Sequence, residues 1–439
     1  MSEKVTTEKD KTKKAESLPE GWKRVKLGEI VNIFDSKRIP LDEEYRANIK
    51  GEYPYCGATG IIDYINDYIF EGEFVLIAED GGKFGAFEDT AYIINGKFWV
   101  NNHAHIAKGK ENFLENRYLK NFINYIDVTT YISGSTREKL NQAILRSILL
   151  PLPPLPEQKK IAEILETVDN AIEKTDAMIE KYRRIKNGLM ADLLTGKIRL
   201  IPYGHSEAEG EESPLLTSPE AKKFVIGDKT FVAVPNQKWK NSPIGKIPED
   251  WEVRKLGEIG EIIYGERLSE QEYVEDGTSI VYGTTGIIAK TEKYLGVGET
   301  IVLPRKGSID NKFYVESGQK FFVIDTAFYL RFNSKEASNI KFVYYFLYQI
   351  NLELLNEATG VPSLNRENLK IIFLPLPPLP EQQLIADVLS QVDEVIEKEI
   401  QYKEKLERIK KGLMEDLLTG KVRVNNLIKE DIQNDTKIL

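Results

Sequence analysis

Cys56 is the only cysteine in 439 residues. No disulfide can form within the chain, which fits a reducing cytoplasm. No apolar run approaches the roughly 18 residues that a membrane-spanning helix needs, so no membrane partner is expected. The N-terminal stretch MSEKVTTEKDKTKKAES is charged and lacks the apolar centre of a secretory signal. It reads as a disordered tail over residues 1–17. A basic excess is missing too, with 60 Lys and Arg against 69 Asp and Glu and a net charge of −9. A free-standing nucleic-acid binder usually carries the opposite balance. DNA as a partner then requires basic residues gathered on one face, or a second protein that supplies phosphate attraction. Signatures of catalysis are absent as well. Neither Asn-Pro-Pro nor Asp-Pro-Pro occurs, which argues against an amino-methyltransferase, and no HExxH or Gly-x4-Gly-Lys-Ser/Thr string is present. Of the three histidines, His103 and His105 alternate along one predicted strand. Cys56 is the only third soft ligand nearby in sequence, and no metal-ligand spacing exists. The sequence therefore predicts neither a metal nor a cofactor.

What is present is a repeat. PLPPLPEQ occurs at Pro151–Gln158 and again, unchanged, at Pro375–Gln382. LPEGWKRVKLGEI from Leu18 is echoed by IPEDWEVRKLGEI from Ile247, and KNGLMADLLTGKIRL from Lys186 by KKGLMEDLLTGKVRV from Lys410. Two related modules in one chain imply a pseudo-twofold object. The order in each half is an opening Trp motif (Trp22, Trp251), a mixed region, the proline segment and a long amphipathic stretch. The mixed regions are rich in β-branched and aromatic runs at 61–70, 72–80, 91–100, 298–304 and 319–325. Segments 115–126 and 339–355 read as helices. The resulting boundaries are a tail at 1–17, a mixed domain at 18–150, a helix at 151–200, a linker at 201–246, a second mixed domain at 247–374, a second helix at 375–424 and a tail at 425–439. The linker opens acidic and turn-rich, and AKKFVIGDKTFVAVPN adds a candidate hairpin.

Apolar residues recur at steps of three and four along both long segments. The positions include Ile161, Leu165, Val168, Ile172 and Leu189, then Ile385, Leu389, Val392, Ile396 and Leu413. A helix over 157–194 spans about 57 Å at about 1.5 Å per residue. Its stripe needs a partner helix. Oligomerisation would supply one, but the matching stripe in the other half is the better partner. PLPPLPEQ admits a reading as a ligand for an aromatic groove; its place between a strand and a helix, twice over, favours a structural role.

With these motifs in this order, the chain resembles the DNA-specificity subunit of type I restriction–modification systems. YCGATGII (Tyr55–Ile62) and VYGTTGII (Val281–Ile288) strengthen the likeness, which extends from Leu18 to Val424. The resemblance implies an α+β fold: two mixed α/β target-recognition domains joined by two long antiparallel helices. It implies that each domain reads half of a split DNA site, that the helices set the gap, and that the chain is not itself the catalyst. Double-stranded DNA, two methyltransferase (modification) subunits and motor-nuclease (restriction) subunits are the implied partners. A scaffold that binds only protein is the competing reading, and the acidic balance favours it.

Candidate DNA contacts come from loop chemistry. AEDGGKFGAF contributes Lys83, and LPRKGSIDNKF contributes Arg305, Lys306, Ser308, Asn311 and Lys312. NNHAHIAKG contributes Asn101, Asn102, His103 and His105, with Asn102 suited to adenine. Arg137 and Lys139, and Asn365 and Arg366, stand before the two proline segments, where a solvated turn is the plain alternative. Thr284 and Thr285 lie in VYGTTGII.

Overall fold

The computed structural model describes residues 18–132, 139–202, 222–226, 229–333 and 338–428. The tail at 1–17, most of the acidic stretch of the linker, the end of the C-terminal tail and Arg137 lie outside them. The chain forms two compact units, Met1–Ala177 with Ile400–Leu439, and Met178–Glu399. Each contains two four-stranded sheets, one short helix against them and parts of both long helices.

In the first unit one sheet has the order Val31–Ile33, Ala104–Gly109, Phe74–Ala78, Ala91–Ile94. The other runs Gly60–Ile65, Lys50–Gly57, Lys97–Val100, Phe70–Glu71. Phe74–Ala78 is buried along its whole length because both faces are covered. Val75 and Ile77 join the core shared with Leu119, Phe122 and Ile123 of the helix Asn116–Tyr125. Phe74 and Leu76 point the other way, to Cys56, Phe98 and Val100, as the two-residue period of a strand requires. Burial in that second layer pushes the Cys56 thiol up to about 12, so it is an inert packing group.

The second unit repeats both orders. Gly260–Tyr264, Ala327–Phe332, Thr300–Pro304 and Phe313–Val315 form one sheet, and Gly286–Thr291, Ser279–Gly283, Lys320–Val323 and Gly296–Val297 the other. The predicted helix at 339–355 stops at Gln349, and Asn351 then caps a separate turn, Leu352–Leu355. Within the 201–246 linker, Lys222–Ile226 and Lys229–Pro235 form the anticipated hairpin, and Ile198–Pro202 extends it to three strands.

Leu155–Leu193 and Leu379–Leu418 are the two long helices, and they run antiparallel. In the first unit Asp169 pairs with Lys410 at 2.6 Å and Asp176 with Lys403 at 2.7 Å. In the second, Lys186 pairs with Asp393 at 2.6 Å. Partner numbers fall as positions rise, the register of an antiparallel pair. Burial alone would raise the Asp169 carboxyl, but Lys120 and Lys410 hold it below its ordinary range. Ile161, Leu165, Ile385 and Leu389 are fully buried. Val168, Ile172, Val392 and Ile396 are half-buried, and Leu189 and Leu413 pack on the edges of the two cores.

The repeated motifs meet at one clasp per unit. Lys23–Lys26 pairs antiparallel with Leu149–Leu152, which ties the opening motif to the proline segment, and Glu252–Lys255 pairs likewise with Phe373–Leu376. In the first unit the buried Glu157 accepts from Trp22 Nε1 at 3.0 Å and from Arg423 Nε and Nη2 at 2.7 and 2.9 Å. In the second, Glu381 accepts from Trp251 Nε1 at 3.2 Å and from Arg199 Nε and Nη2 at 2.8 and 2.6 Å. Each clasp therefore takes its arginine from the helix end of the other repeat. The neighbouring glutamines hold the N-cap residue of the short helix in each unit. Gln158 accepts from the Glu115 N–H and donates to the Phe113 and Pro153 carbonyls, and Gln382 accepts from the Asn339 N–H and donates to the Pro377 carbonyl. Gly420, at φ +77°, closes the second helix where a Cβ would sit 2.4 Å from Pro19 Cγ. Gly420→Ala is expected to destabilise the first unit by about 2 kcal/mol or more through left-handed strain and overpacking. A urea titration that found less than half that loss would contradict the account.

Candidate nucleic-acid interface

The same three segments build an exposed corner in each unit: the loop after the central strand of the first sheet, the turn before the neighbouring strand, and the residues just before the short helix that precedes the proline segment. In the first unit Asp80 and Lys139 form a bridge between the first and third segments, and in the second Lys306 and Ser363 do so. Backbone bonds fix the corner. Leu140 N–H donates to Glu79 O, and Leu364 N–H to Arg305 O. Asn141 and Asn365 occupy matching helix caps, each accepting a backbone N–H through its side chain.

Chemistry at matching positions diverges sharply. In the first unit Arg38 Nη1 donates to Glu79 Oε2 at 2.5 Å, and Lys139 lies 3.0 Å from Glu79 Oε1. His103 Nδ1 and Asp80 Oδ1 are 2.5 Å apart. Below them His105 Nδ1 lies 2.6 Å from Asp35 Oδ2 and its Nε2 2.6 Å from the Leu140 carbonyl oxygen. Both partners are acceptors, which suits a ring that donates from both nitrogens. Burial would raise the Asp35 carboxyl, but the bond and charge of His105, with the Ile106 N–H and Gln142, bring it below the ordinary carboxylate range. Burial likewise works to raise Glu79, and Arg38 and Lys139 outweigh it.

In the second unit Tyr264 replaces Asp35, Arg305 replaces Glu79, Lys306 replaces Asp80, Phe328 replaces His105 and Arg366 replaces Gln142. The guanidinium carbons of Arg305 and Arg366 lie 5.0 and 5.1 Å from the Tyr264 ring centroid. Arg305 Nη1 donates to the Asp325 carbonyl at 2.7 Å. Arg267, whose side chain is 93% exposed, pairs with the Asp325 carboxylate at 3.3 Å. One corner is a neutralised network and the other a basic cluster.

The sequence candidates divide accordingly. Lys83, Asn102, Lys139, Thr285, Lys306, Ser308 and Asn311 are exposed, and His103, Thr284, Arg305 and Arg366 are half-buried at the corners. Asn311 donates to the Thr284 carbonyl at 3.0 Å, which joins its loop to the VYGTTGII turn. Burial sets three candidates apart. His105 has a 1% exposed side chain and is locked between Asp35 and Leu140. Lys312, also 1% exposed, is committed to Asp310 and the Ile350 carbonyl. Asn101 is buried too and accepts from the His103 N–H, and Asn365 serves as a helix cap. Sequence reasoning missed Asp35, Arg38, Tyr264 and Arg267. Arg38 and Arg267 stand at one distance after the repeated KLGEI, a signal that aligning the halves exposes.

Comparison with known proteins gives a consistent result. Residues 19–181 and 248–408 each match the family model described as type I restriction modification DNA specificity domain. The chain is 27% identical over 457 residues to the type I restriction enzyme MjaVIII specificity subunit of Methanocaldococcus jannaschii, covering 93% of this chain and 95% of that one. It is 24% identical over 429 residues to the EcoDI specificity subunit of Escherichia coli, covering 88% and 85%. Among solved structures, the type I restriction–modification S subunit from M. genitalium shares the fold with a TM-score of 0.62 at 15% identity, covering 92% of this chain and 98% of that one.

Proposed function

The chain belongs to the type I restriction–modification DNA specificity family, and on that premise we propose that each of its two units reads one half of a bipartite DNA site. The observation that carries the reading is the pair of corners, built from the same segments and carrying different chemistry at five matching positions, two of them with reversed charge. Two readers on one framework with different side chains suit two different half-sites. The paired helices hold a fixed register through Asp169–Lys410, Asp176–Lys403 and Lys186–Asp393. A stiff pair of this kind suits a ruler that sets the gap, since half-sites on one face of B-DNA recur about every 34 Å. The outer faces of these helices dock the two modification subunits, which carry the methyltransferase chemistry, and motor-nuclease subunits join for cleavage. The chain itself contributes recognition and no catalytic group. The net charge of −9 fits a division in which the modification subunits supply much of the phosphate attraction.

The test is methylome sequencing of cells that express the chain with its modification subunits. A split motif with one fixed gap is expected. Exchanging 260–374 for the matching region of a relative is expected to change one half-site and leave the other and the gap intact. Loss of both halves, or equal binding of scrambled and target duplexes by the complex, would favour a protein-binding scaffold without base readout.

A further inference from the structure

We propose that Arg305 and Arg366, ordered on the ring of Tyr264, read guanine in the half-site of the second unit; the proposal rests on the half-site reading above. Three observations carry it. The two guanidinium groups are held over one aromatic ring, at 5.0 and 5.1 Å, and stacking of this kind fixes a planar donor fork before any ligand arrives. Donors are left over. Arg305 commits Nη1 to the Asp325 carbonyl, and its other guanidinium nitrogens bond to no described residue. Arg366 turns its buried Nε toward Glu367 Oε1 at 3.5 Å, and its Nη1 and Nη2 bond to no described residue. The positions also change chemistry between the units, to Glu79 and Gln142 in the first. Phosphates are the same in every half-site, so a phosphate contact gives no reason for that change. A base contact does, because dissimilar half-sites need dissimilar readers.

Guanine is the base whose major-groove edge offers two acceptors, O6 and N7, to one guanidinium fork. Lys306 and the highly exposed Arg267 lie beside the pair and suit the phosphates that flank it. They lack the ring that orders Arg305 and Arg366. The first unit has no counterpart. Glu79 and Gln142 stand at the two positions there, and Arg38, which matches Arg267, is spent on Glu79 and the Ala104 carbonyl.

The test uses the full chain assembled with its modification subunits. Wild type, Arg305→Lys and Arg366→Lys are compared by methylome sequencing and by binding to duplexes altered one base pair at a time. Exchange of 260–374 first assigns the half-site of the second unit. That half-site is expected to contain a G·C pair. Each lysine variant keeps the charge and loses the fork, so discrimination at a G·C position should fall on the order of 10- to 100-fold, with the other half-site untouched. A half-site without any G·C pair overturns the proposal from wild type alone, whatever the variants do. So does undiminished discrimination in both lysine variants, or a weakening spread evenly over all sequences, which marks a phosphate clamp. Absence of any split motif in wild type, or a motif unmoved by the exchange, is a different result and overturns the half-site reading itself.

Discussion

Alanine in place of Glu157 is expected to lower the stability of the first unit by about 3–5 kcal/mol, the range for removing one partner of a buried ion pair. The carboxylate is the common acceptor for the Trp22 indole and the Arg423 guanidinium, and the indole has no other acceptor among the described residues. Glu381→Ala is the matched experiment in the second unit. When Glu381 is removed Arg199 keeps both oxygens of Asp250, at 2.9 and 2.7 Å, whereas Arg423 without Glu157 keeps the Glu20 carbonyl at 3.1 Å. The loss at Glu381 should therefore fall toward the lower end of the range and the loss at Glu157 toward the upper. Each substitution should move the transition of its own unit, so unfolding is followed with more than one probe. Adding Arg423→Ala to Glu157→Ala should recover part of the loss, because no buried charge is then left unpaired. A loss below about 1 kcal/mol at both glutamates would mean that the clasps do not hold the fold.

His105→Phe is expected to cost about 3 kcal/mol at neutral pH, because it strands Asp35 beneath the corner of the first unit. The sign with pH follows from Asp35. In the native chain its carboxyl lies below the ordinary value, so its contribution is present above the unfolded pKa and is lost as pH falls through the folded one. Without His105 the largest lowering influence is gone while burial stays, so the folded pKa rises. The stability that the carboxylate contributes at neutral pH then shrinks, and the loss fades on acidification as the carboxyl is protonated in both proteins. The difference between variant and native stability should shrink from pH 7 toward pH 4. Asp35→Tyr together with His105→Phe reproduces the Tyr264 and Phe328 pair, whose rings meet at a 57° tilt with centroids 5.0 Å apart. The double variant should regain much of the loss at pH 7, as hydrophobic replacement of a buried ion pair often does. A pH-independent gap between His105→Phe and native protein would refute the assignment.

The long helices were legible because a stripe that recurs over about forty residues averages out local accidents. The expected start at Glu157 and observed start at Leu155 differ by the usual fraying of helix ends. Shorter elements were less so. Residues 91–100 read as one β-rich run but fold as two strands, Ala91–Ile94 and Lys97–Val100, parted at Gly96 with φ +95°. Alternation placed His103 and His105 together on a strand face, yet only His105 lies in the strand. It is buried, because both faces of that sheet are covered and periodicity cannot tell which face meets water. Lys312 misled for a related reason. Its ammonium ends on Ile350 O, a group far along the chain. The clasps were beyond reach of any local pattern, since Arg423 and Glu157 are 266 positions apart. Tyr264 and Asp35 escaped notice because they are unlike each other, and comparison of the halves rewards sameness.

The exchange of arginines between repeats bears on how the protein is made. Translation runs from the N-terminus, and the second unit is one uninterrupted stretch, Met178–Glu399. All its residues, Arg199 included, have been synthesised before Ile400 is added. The first unit starts before the second but needs Ile400–Leu439 to be whole, and Arg423 is synthesised 266 positions after Glu157. The unit translated first is thus the last to close, and until then Glu157 and Trp22 wait for a partner that has not been born.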